Sequence, residues 1–145
     1  FRSYYDVHCN DKTKPYEGIM ELIDALLERG INLAIVSNKV ESAVQTLNKL
    51  YFPQVKVAVG DREGLQRKPA PDSVFQAMSV FDAKSAETLY VGDSGVDVET
   101  AKNAGVTCIS VLWGFRDKGQ LLESGAKILI EKPLELLELI EHETI

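Results

Sequence analysis

The sequence is poor in several residue types and patterns, and each shortage excludes a class of protein. It contains 2 cysteines in 145 residues, Cys9 and Cys108, and they form no CxxC or Cys/His spacing, so neither a disulfide scaffold nor a zinc site is expected. No apolar run approaches the roughly 20 residues that a membrane-spanning helix needs. Basic residues number 16 against 22 acidic ones, and the net charge of −6 disfavours nonspecific binding of nucleic acid or of an anionic membrane. We therefore expect a cytoplasmic protein that acts on small molecules.

Short apolar segments alternate with amphipathic ones along most of the chain. INLAIVSN, from Ile31, is a nearly unbroken apolar run typical of a strand covered on both faces, and the residues before it repeat apolar side chains at helical spacing. The alternation continues and predicts strands over 55–60, 88–93, 107–113 and 126–130, with helices over 40–50, from 69, through AKNAG, over 117–124 and from Pro133. This pattern predicts an α/β fold, a Rossmann-like three-layer sandwich with a mainly parallel sheet.

The first 17 residues differ from the rest of the chain. FRSYYDVHCNDKTKPYE has the character of a helix end followed by a polar, proline-containing linker. We therefore divide the chain into residues 1–17, which arrive from another domain, and residues 18–145, which form one core.

Polar side chains follow two of the predicted strands, and a lysine stands in a loop between them. Ser37 and Asn38 end the first strand, Asp93 ends another, Asp97 lies one helical turn further on, and Lys68 precedes a helix. Ligands of open α/β sheets bind beyond the carboxyl ends of the strands. A hydroxyl, a lysine and two carboxylates that meet there would bind an anion together with a hard cation such as Mg²⁺.

Each of these residues also has an ordinary structural interpretation. Ser37 could cap the helix that follows it, and Asp93 could be the N-cap of its own helix. Asp97 could lie on a solvated helix surface, and Lys68, before a proline, could simply be exposed. Taken singly, none of them identifies a site.

Three segments place these residues in a common context: AIVSNK, QRKPAPD and YVGDSGVDVETAKNAG. In this order and spacing they resemble motifs two, three and four of the haloacid dehalogenase superfamily of phosphohydrolases, nearest to its phosphoglycolate phosphatase-like branch. The resemblance runs from about Lys14 to Leu139. KPYEGI resembles that branch's return from the cap domain to the core, which implies that residues 1–17 are the tail of a cap domain and a linker.

The resemblance implies a role for each residue. Ser37 resembles the hydroxyl that hydrogen-bonds a phosphoryl oxygen, with the backbone N–H of Asn38 beside it. Lys68 resembles the lysine that neutralises charge on the phosphate and the nucleophile. Asp93 resembles the direct ligand of the Mg²⁺ cofactor, and Asp97 resembles its partner, which reaches the metal through water or pairs with the lysine. Because a phosphoryl group in transfer spreads charge over its oxygens, these groups match the needs of the reaction.

Gly92, the last residue of the strand before Asp93, belongs to the same segment. Having no side chain, it lets the backbone approach closely at the strand end. We expect such an approach at this position.

The nucleophile that the resemblance implies is absent from the sequence. Members of this superfamily attack phosphorus with an aspartate in a DxDGT motif at the end of the first strand, forming an aspartyl-phosphate, and no DxD occurs in this chain. That strand would lie between INLAIVS and TLYVG, so we expect a core that lacks its first central strand and has unpaired edges beside the gap. The chain would then be a fragment, inactive alone. Either another copy or a separate chain supplies the strand, or the flanking strands rearrange.

The leading hypothesis is the C-terminal core of a Mg²⁺-dependent phosphomonoester hydrolase that acts on a small phosphorylated metabolite. An alternative is a non-catalytic phosphate- and metal-binding or regulatory module, and the gene sequence upstream of Phe1 discriminates between the two. A flavodoxin-like or receiver-type domain explains the alternation of strands and helices but not KPAPD or GDSGVD. Phosphoglycolate as substrate is favoured only by the resemblance, since the cap domain largely chooses the substrate in this superfamily.

Overall fold

A computed structural model describes residues 2–5, 17–113 and 117–141 of the chain, with the backbone alone described for residues 2–5. The strands are β1 Arg2–Tyr5, β2 Asn32–Val40, β3 Val57–Asp61, β4 Thr88–Gly92, β5 Thr107–Val111 and β6 Ile128–Ile130. The helices are α1 Ile19–Glu28, α2 Glu41–Tyr51, α3 Asp72–Phe81, α4 Gly95–Ala104, α5 Lys118–Glu123 and α6 Glu135–Glu141, with a 3₁₀ turn at Ser85–Glu87.

The six strands form one sheet in the order β3-β2-β1-β4-β5-β6, and every neighbouring pair is parallel. Alternate residues of a strand face opposite sides of a sheet. In β2, Leu33 and Ile35 pack into an apolar cluster with α1 and α6, whereas Ala34 and Val36 pack into a second cluster with α3 and α4. The predicted α/β sandwich with a parallel sheet is therefore confirmed.

The central position of the sheet is filled by β1. Arg2–Tyr5 pair with residues 32–35 of β2 on one side and with residues 88–91 of β4 on the other. The expectation of an empty gap between these two strands was wrong, as was that of a helix end at residues 2–5. Parallel pairing is made by backbone N–H and C=O groups, so the polar segment RSYY can join the sheet without an apolar strand pattern.

Continuity of the sheet thus requires neither a second chain nor a rearrangement of β2 and β4. The predicted division of the chain at residue 17 stays a prediction, because residues 6–16 lie outside the described part of the structure. Within the described residues, no helix has the length and apolar character needed to cross a membrane.

Candidate functional site

The predicted site residues lie at the carboxyl edge of the sheet. Ile35 of β2 and Val91 of β4 both pair with Tyr5 of β1, so Ser37 and Asp93, each two residues further along, stand at the same height on the two sides of β1. Two strand spacings separate them, roughly 10 Å. The structure therefore brings the ends of these strands together as expected.

Lys68 and Asp97 meet at this edge in a buried ion pair. Lys68 lies in the loop between β3 and α3, Asp97 lies in the first turn of α4, and the Nζ to Oδ1 distance is 2.9 Å. Their side chains are only 2% and 0% exposed. The interpretations of Lys68 as an exposed lysine and of Asp97 as a solvated surface residue were therefore wrong, and Asp97 pairs directly with the lysine.

Asp97 also closes the N-terminus of α4. Its Oδ2 accepts hydrogen bonds from the backbone N–H groups of Asp93 at 2.9 Å and Ser94 at 3.2 Å, and from the Ser94 hydroxyl at 3.0 Å. Ser94 is the N-cap and forms a capping box with Asp97. The interpretation of Asp93 as the helix cap was wrong, because Ser94 takes that place. A carboxylate here is further stabilised by the positive end of the helix dipole.

Gly92 is required by the position of Asp97. A Cβ atom at residue 92 would lie 2.4 Å from Cβ of Asp97 and 2.5 Å from its Oδ2. The space that the missing side chain leaves at this strand end is taken by the carboxylate side chain of Asp97. Any side chain at residue 92 would overlap Asp97, so one of the two residues would have to shift.

The loop that carries Lys68 is held from two sides. The side-chain Oδ1 of Asn38 accepts from the Lys68 N–H at 2.8 Å, and its Nδ2 donates to the Lys68 carbonyl at 3.2 Å. Asn103 of α4 donates to the carbonyl of Pro69 at 2.9 Å, and the Lys68–Pro69 peptide bond is cis. The sequence assigned Asn38 only a backbone role toward phosphate, so this contact of its side chain was missed.

Ser37 does not cap α2. The helix begins at Glu41 after Val40, and the Ser37 hydroxyl instead accepts a hydrogen bond from the Lys39 N–H at 3.2 Å. The register between β2 and β3 shifts after Val36. Ser37 and Asn38 therefore lie where β2 leaves regular pairing at the edge of the sheet.

Tyr90 is the residue of this site that sequence reasoning missed. It lies in β4, is 0% exposed, and its hydroxyl donates to Asp97 Oδ1 at 2.8 Å and accepts from Lys68 Nζ at 3.2 Å. In the apolar run TLYVG it reads as a core residue. The sequence held one indication of its role: a tyrosine in a buried strand needs a hydrogen-bond partner for its hydroxyl.

Burial and neighbouring carboxylates set the charge states of this cluster. Burial lowers the pKa of Lys68, and the Asp97 and Asp93 carboxylates oppose that effect. Burial and the Asp97 carboxylate raise the pKa of Tyr90 well above its usual 10.0, so its hydroxyl is protonated at neutral pH. A bound anion would add negative charge beside Lys68 and favour its ammonium form.

The carboxylate oxygens at this edge suit a hard cation that takes few of its ligands from the protein. Among the described residues, no group of three or more His, Cys, Asp or Glu could hold a metal ion. Both oxygens of Asp97 already accept hydrogen bonds, which leaves Asp93, 7% exposed, as the candidate direct ligand. Mg²⁺ commonly binds one or two carboxylates and otherwise keeps water and phosphate oxygens. These residues therefore fit Mg²⁺ and do not form a cage made only of protein ligands.

A parallel α/β sheet carries a buried lysine and two aspartates at its carboxyl edge, the edge at which open α/β domains bind their ligands. Comparison with known proteins agrees: the family model of the haloacid dehalogenase-like hydrolases matches residues 1–111. The chain belongs to this family, which confirms the resemblance inferred from its motifs.

Two similar proteins carry phosphatase names. A pyrophosphatase named PpaX from Halalkalibacterium halodurans is 31% identical over 144 residues, covering 97% of this chain and 66% of that protein. A solved structure of a candidate phosphoglycolate phosphatase from Lactobacillus delbrueckii subsp. bulgaricus is 39% identical with a TM-score of 0.87, covering 92% of this chain and 56% of that one. The chain thus spans just under two thirds of this curated relative and just over half of this solved structure.

A third similarity concerns a structure of comparable extent. The core domain of a candidate phosphoglycolate phosphatase from Streptococcus pneumoniae, solved by NMR, covers 97% of this chain and 94% of that one, with a TM-score of 0.71 and 24% identity. At this identity the similarity shows the fold alone.

Proposed function

We propose that this chain supplies the C-terminal core of a Mg²⁺-dependent phosphomonoester hydrolase that acts through an aspartyl-phosphate and resembles phosphoglycolate phosphatases. The observation that carries the proposal is the buried Lys68–Asp97 ion pair at the carboxyl edge of the sheet, with Asp93 following the adjacent strand. A buried lysine held by a carboxylate at a strand end is placed to bind an anion.

Each residue then has a defined part in binding the phosphoryl group. The Lys68 ammonium balances phosphate charge, and the Ser37 hydroxyl and the Asn38 N–H donate to a phosphoryl oxygen. Asp97 holds Lys68 by direct ion pairing at 2.9 Å. Asp93 would hold Mg²⁺, which when bound supplies positive charge to the phosphate oxygens. Charge stabilisation and positioning are the main requirements of phosphoryl transfer.

The attacking aspartate must come from residues outside these 145, since the sequence has no DxD motif. Its strand would belong to the same protein, to another copy or to a separate chain. We therefore expect the isolated chain to bind Mg²⁺ and phosphate without turnover.

The proposed substrate is a small phosphorylated metabolite, and we place the protein in the cytoplasm, where such metabolites occur. The names of its relatives include a pyrophosphatase and a phosphoglycolate phosphatase. Phosphoglycolate rests on similarity to that branch, because the residues described at the sheet edge are those that bind the phosphoryl group common to all these substrates.

The test is to measure binding and turnover in the same preparation. Calorimetry should detect Mg²⁺ binding and, in its presence, binding of inorganic phosphate, while p-nitrophenyl phosphate is not hydrolysed. Asp93→Asn should abolish Mg²⁺ binding, whereas Asp24→Asn, at an exposed position of α1, should leave it unchanged. A wild-type chain that binds neither ligand would contradict the proposal.

Robust hydrolysis would show that the nucleophile lies within the chain, and Asp6, which follows β1 in the sequence, would be the first residue to replace.

A second candidate is a phosphate- and metal-binding or regulatory module that performs no chemistry. It is favoured by one observation: Lys68, Asp93 and Asp97 are present while no DxD motif is. The gene sequence upstream of Phe1 separates the two functions. An apolar segment that ends in DxDGT supports the hydrolase, and a start codon close to Phe1 supports the module.

A further inference from the structure

We infer that Tyr90 is a positioning residue of this site, whose hydroxyl fixes the direction in which the Lys68 ammonium points. The inference rests on the proposed function and extends it, because neither the strand-end motifs nor the similarity to known phosphatases gives Tyr90 a role.

Tyr90 joins three separate elements at one point. Its hydroxyl in β4 lies 2.8 Å from Asp97 Oδ1 in α4 and 3.2 Å from Lys68 Nζ in the β3–α3 loop, while Lys68 Nζ and Asp97 Oδ1 are 2.9 Å apart. The three polar atoms form a closed triangle of hydrogen bonds. Each atom of the triangle therefore restrains the other two.

The triangle orients the ammonium group. An ammonium has three N–H donors and no acceptor. With one N–H directed to Asp97 and a second to Tyr90, the direction of the third is fixed by tetrahedral geometry. Without the Tyr90 hydroxyl, the ammonium would lose one of the hydrogen bonds that set its orientation.

The anchor itself is rigid. Tyr90 is fully buried and belongs to the apolar cluster on the α3 and α4 face of the sheet, which also contains Ala34, Val36, Val74, Ala77, Ala101 and Ala104. A tyrosine side chain has two rotatable bonds before the hydroxyl, so close packing of the ring fixes the position of its oxygen. This makes the tyrosine a more precise guide for a flexible lysine than a second long side chain would be.

The competing explanation is that Tyr90 is a structural residue of the core, and that its hydroxyl hydrogen-bonds Lys68 and Asp97 without affecting the site. Both explanations predict that Tyr90→Phe is less stable, because a buried hydrogen bond is lost. They differ in the phosphate affinity that they predict for the folded variant. If Tyr90 is purely structural, the affinity stays unchanged, and if Tyr90 positions Lys68, the affinity falls.

The first experiment is calorimetry of the whole chain and its Tyr90→Phe variant, with Mg²⁺ alone and then with inorganic phosphate at saturating Mg²⁺. We expect about tenfold weaker phosphate binding, the size of one hydrogen bond to a charged group, with Mg²⁺ affinity within about twofold. Tyr51→Phe, a half-buried tyrosine of α2 that packs on Phe52, is the control and should change neither. Circular dichroism verifies folding, and unchanged phosphate affinity in folded Tyr90→Phe overturns the inference.

The second experiment does not depend on ligand binding. In a crystal structure of Tyr90→Phe, Lys68 Nζ should keep its ion pair with Asp97 Oδ1 but lose its fixed orientation, and so should occupy several positions around that oxygen. An unmoved, well-ordered Lys68 would overturn the inference even if the wild-type protein bound phosphate. A wild-type chain that binds neither Mg²⁺ nor phosphate would instead contradict the proposed function, and the position of Lys68 in the variant crystal would still decide the role of Tyr90.

Discussion

The side-chain amide of Asn38 forms two hydrogen bonds with the backbone of Lys68, accepting from its N–H at 2.8 Å and donating to its carbonyl at 3.2 Å. These residues are 30 positions apart in the chain. The amide thereby completes both backbone hydrogen bonds of the lysine and fixes the β3–α3 loop to the end of β2. The position of Lys68 consequently depends on Asn38, the residue next to Ser37, whose hydroxyl is proposed to bind the phosphoryl group.

We expect Asn38→Ala to weaken both the fold and the site. Two half-buried backbone groups of Lys68 lose their partner, which should lower the free energy of unfolding by about 1–3 kcal/mol in urea denaturation. Phosphate affinity should fall as well, because the loop is less constrained. Asn103→Ala removes a single, exposed hydrogen bond to Pro69 and should cost about 1 kcal/mol or less. Equal effects of the two variants would contradict this account of the loop.

The buried ion pair predicts strong coupling between Lys68 and Asp97. Lys68→Met or Asp97→Asn alone leaves a buried group without its counter-charge and should destabilise the protein by about 3–5 kcal/mol. In the double variant neither charge remains, so the loss should be clearly smaller than the sum of the two single losses. A thermodynamic cycle from urea denaturation measures this coupling. Strict additivity would show that the pair is not a unit.

Gly92→Ala should destabilise the protein through a single steric conflict. The added methyl would lie 2.4 Å from Cβ of Asp97, and relief of such overpacking typically costs about 1–3 kcal/mol. The matched control is Gly119→Ala in α5, where the nearest atom to the new Cβ is 3.4 Å away and the helix should gain about 0.5–1 kcal/mol. Thermal unfolding should therefore shift in opposite directions for the two variants, and a shift in the same direction would count against the model of Gly92.

Cys108 predicts a loss of stability in alkali. Burial raises the pKa of its thiol from 9.0 to about 12. Above pH 9 the unfolded chain releases this proton while the folded chain keeps it, so the free energy of unfolding falls as pH rises, by at most about 1.4 kcal/mol per pH unit. Cys108→Ala lacks this contribution. Its stability curve should run parallel to that of the wild type from pH 6 to 8 and decline less between pH 9 and 10.5, as measured by urea denaturation. Parallel curves throughout would show that the thiol is not protected.

Some of this site could be predicted from the sequence because its residues follow apolar strands. Asp93 and Ser37 each come directly after such a run, and parallel pairing then places them at one edge. The burial of Lys68 could not be predicted from a loop of mostly polar residues, because it depends on the folded loop reaching α4. Tyr90 was hidden for the opposite reason: it belongs to an apolar strand, and its hydroxyl acquires a role only when Lys68 and Asp97 are present.

A further difference between expectation and structure is the strand formed by residues 2–5, where the sequence predicted a helix end and a gap in the sheet. RSYY carries no strand pattern, yet it pairs on both sides in the centre of the sheet. Sequence patterns report side-chain burial, whereas an open position between two strands can be satisfied by the N–H and C=O groups of almost any segment.

The place of β1 has a consequence for any chain that brings a nucleophile to this core. A position between two paired strands admits one occupant, so an incoming strand cannot be added beside Arg2–Tyr5 and must exchange with it. Four residues of β1 pair with β2 and four pair with β4. The free energy of this pairing is what the pairing of an incoming strand has to exceed. If the proposed nucleophile arrives on such a strand, that strand has to displace Arg2–Tyr5 from both of its neighbours.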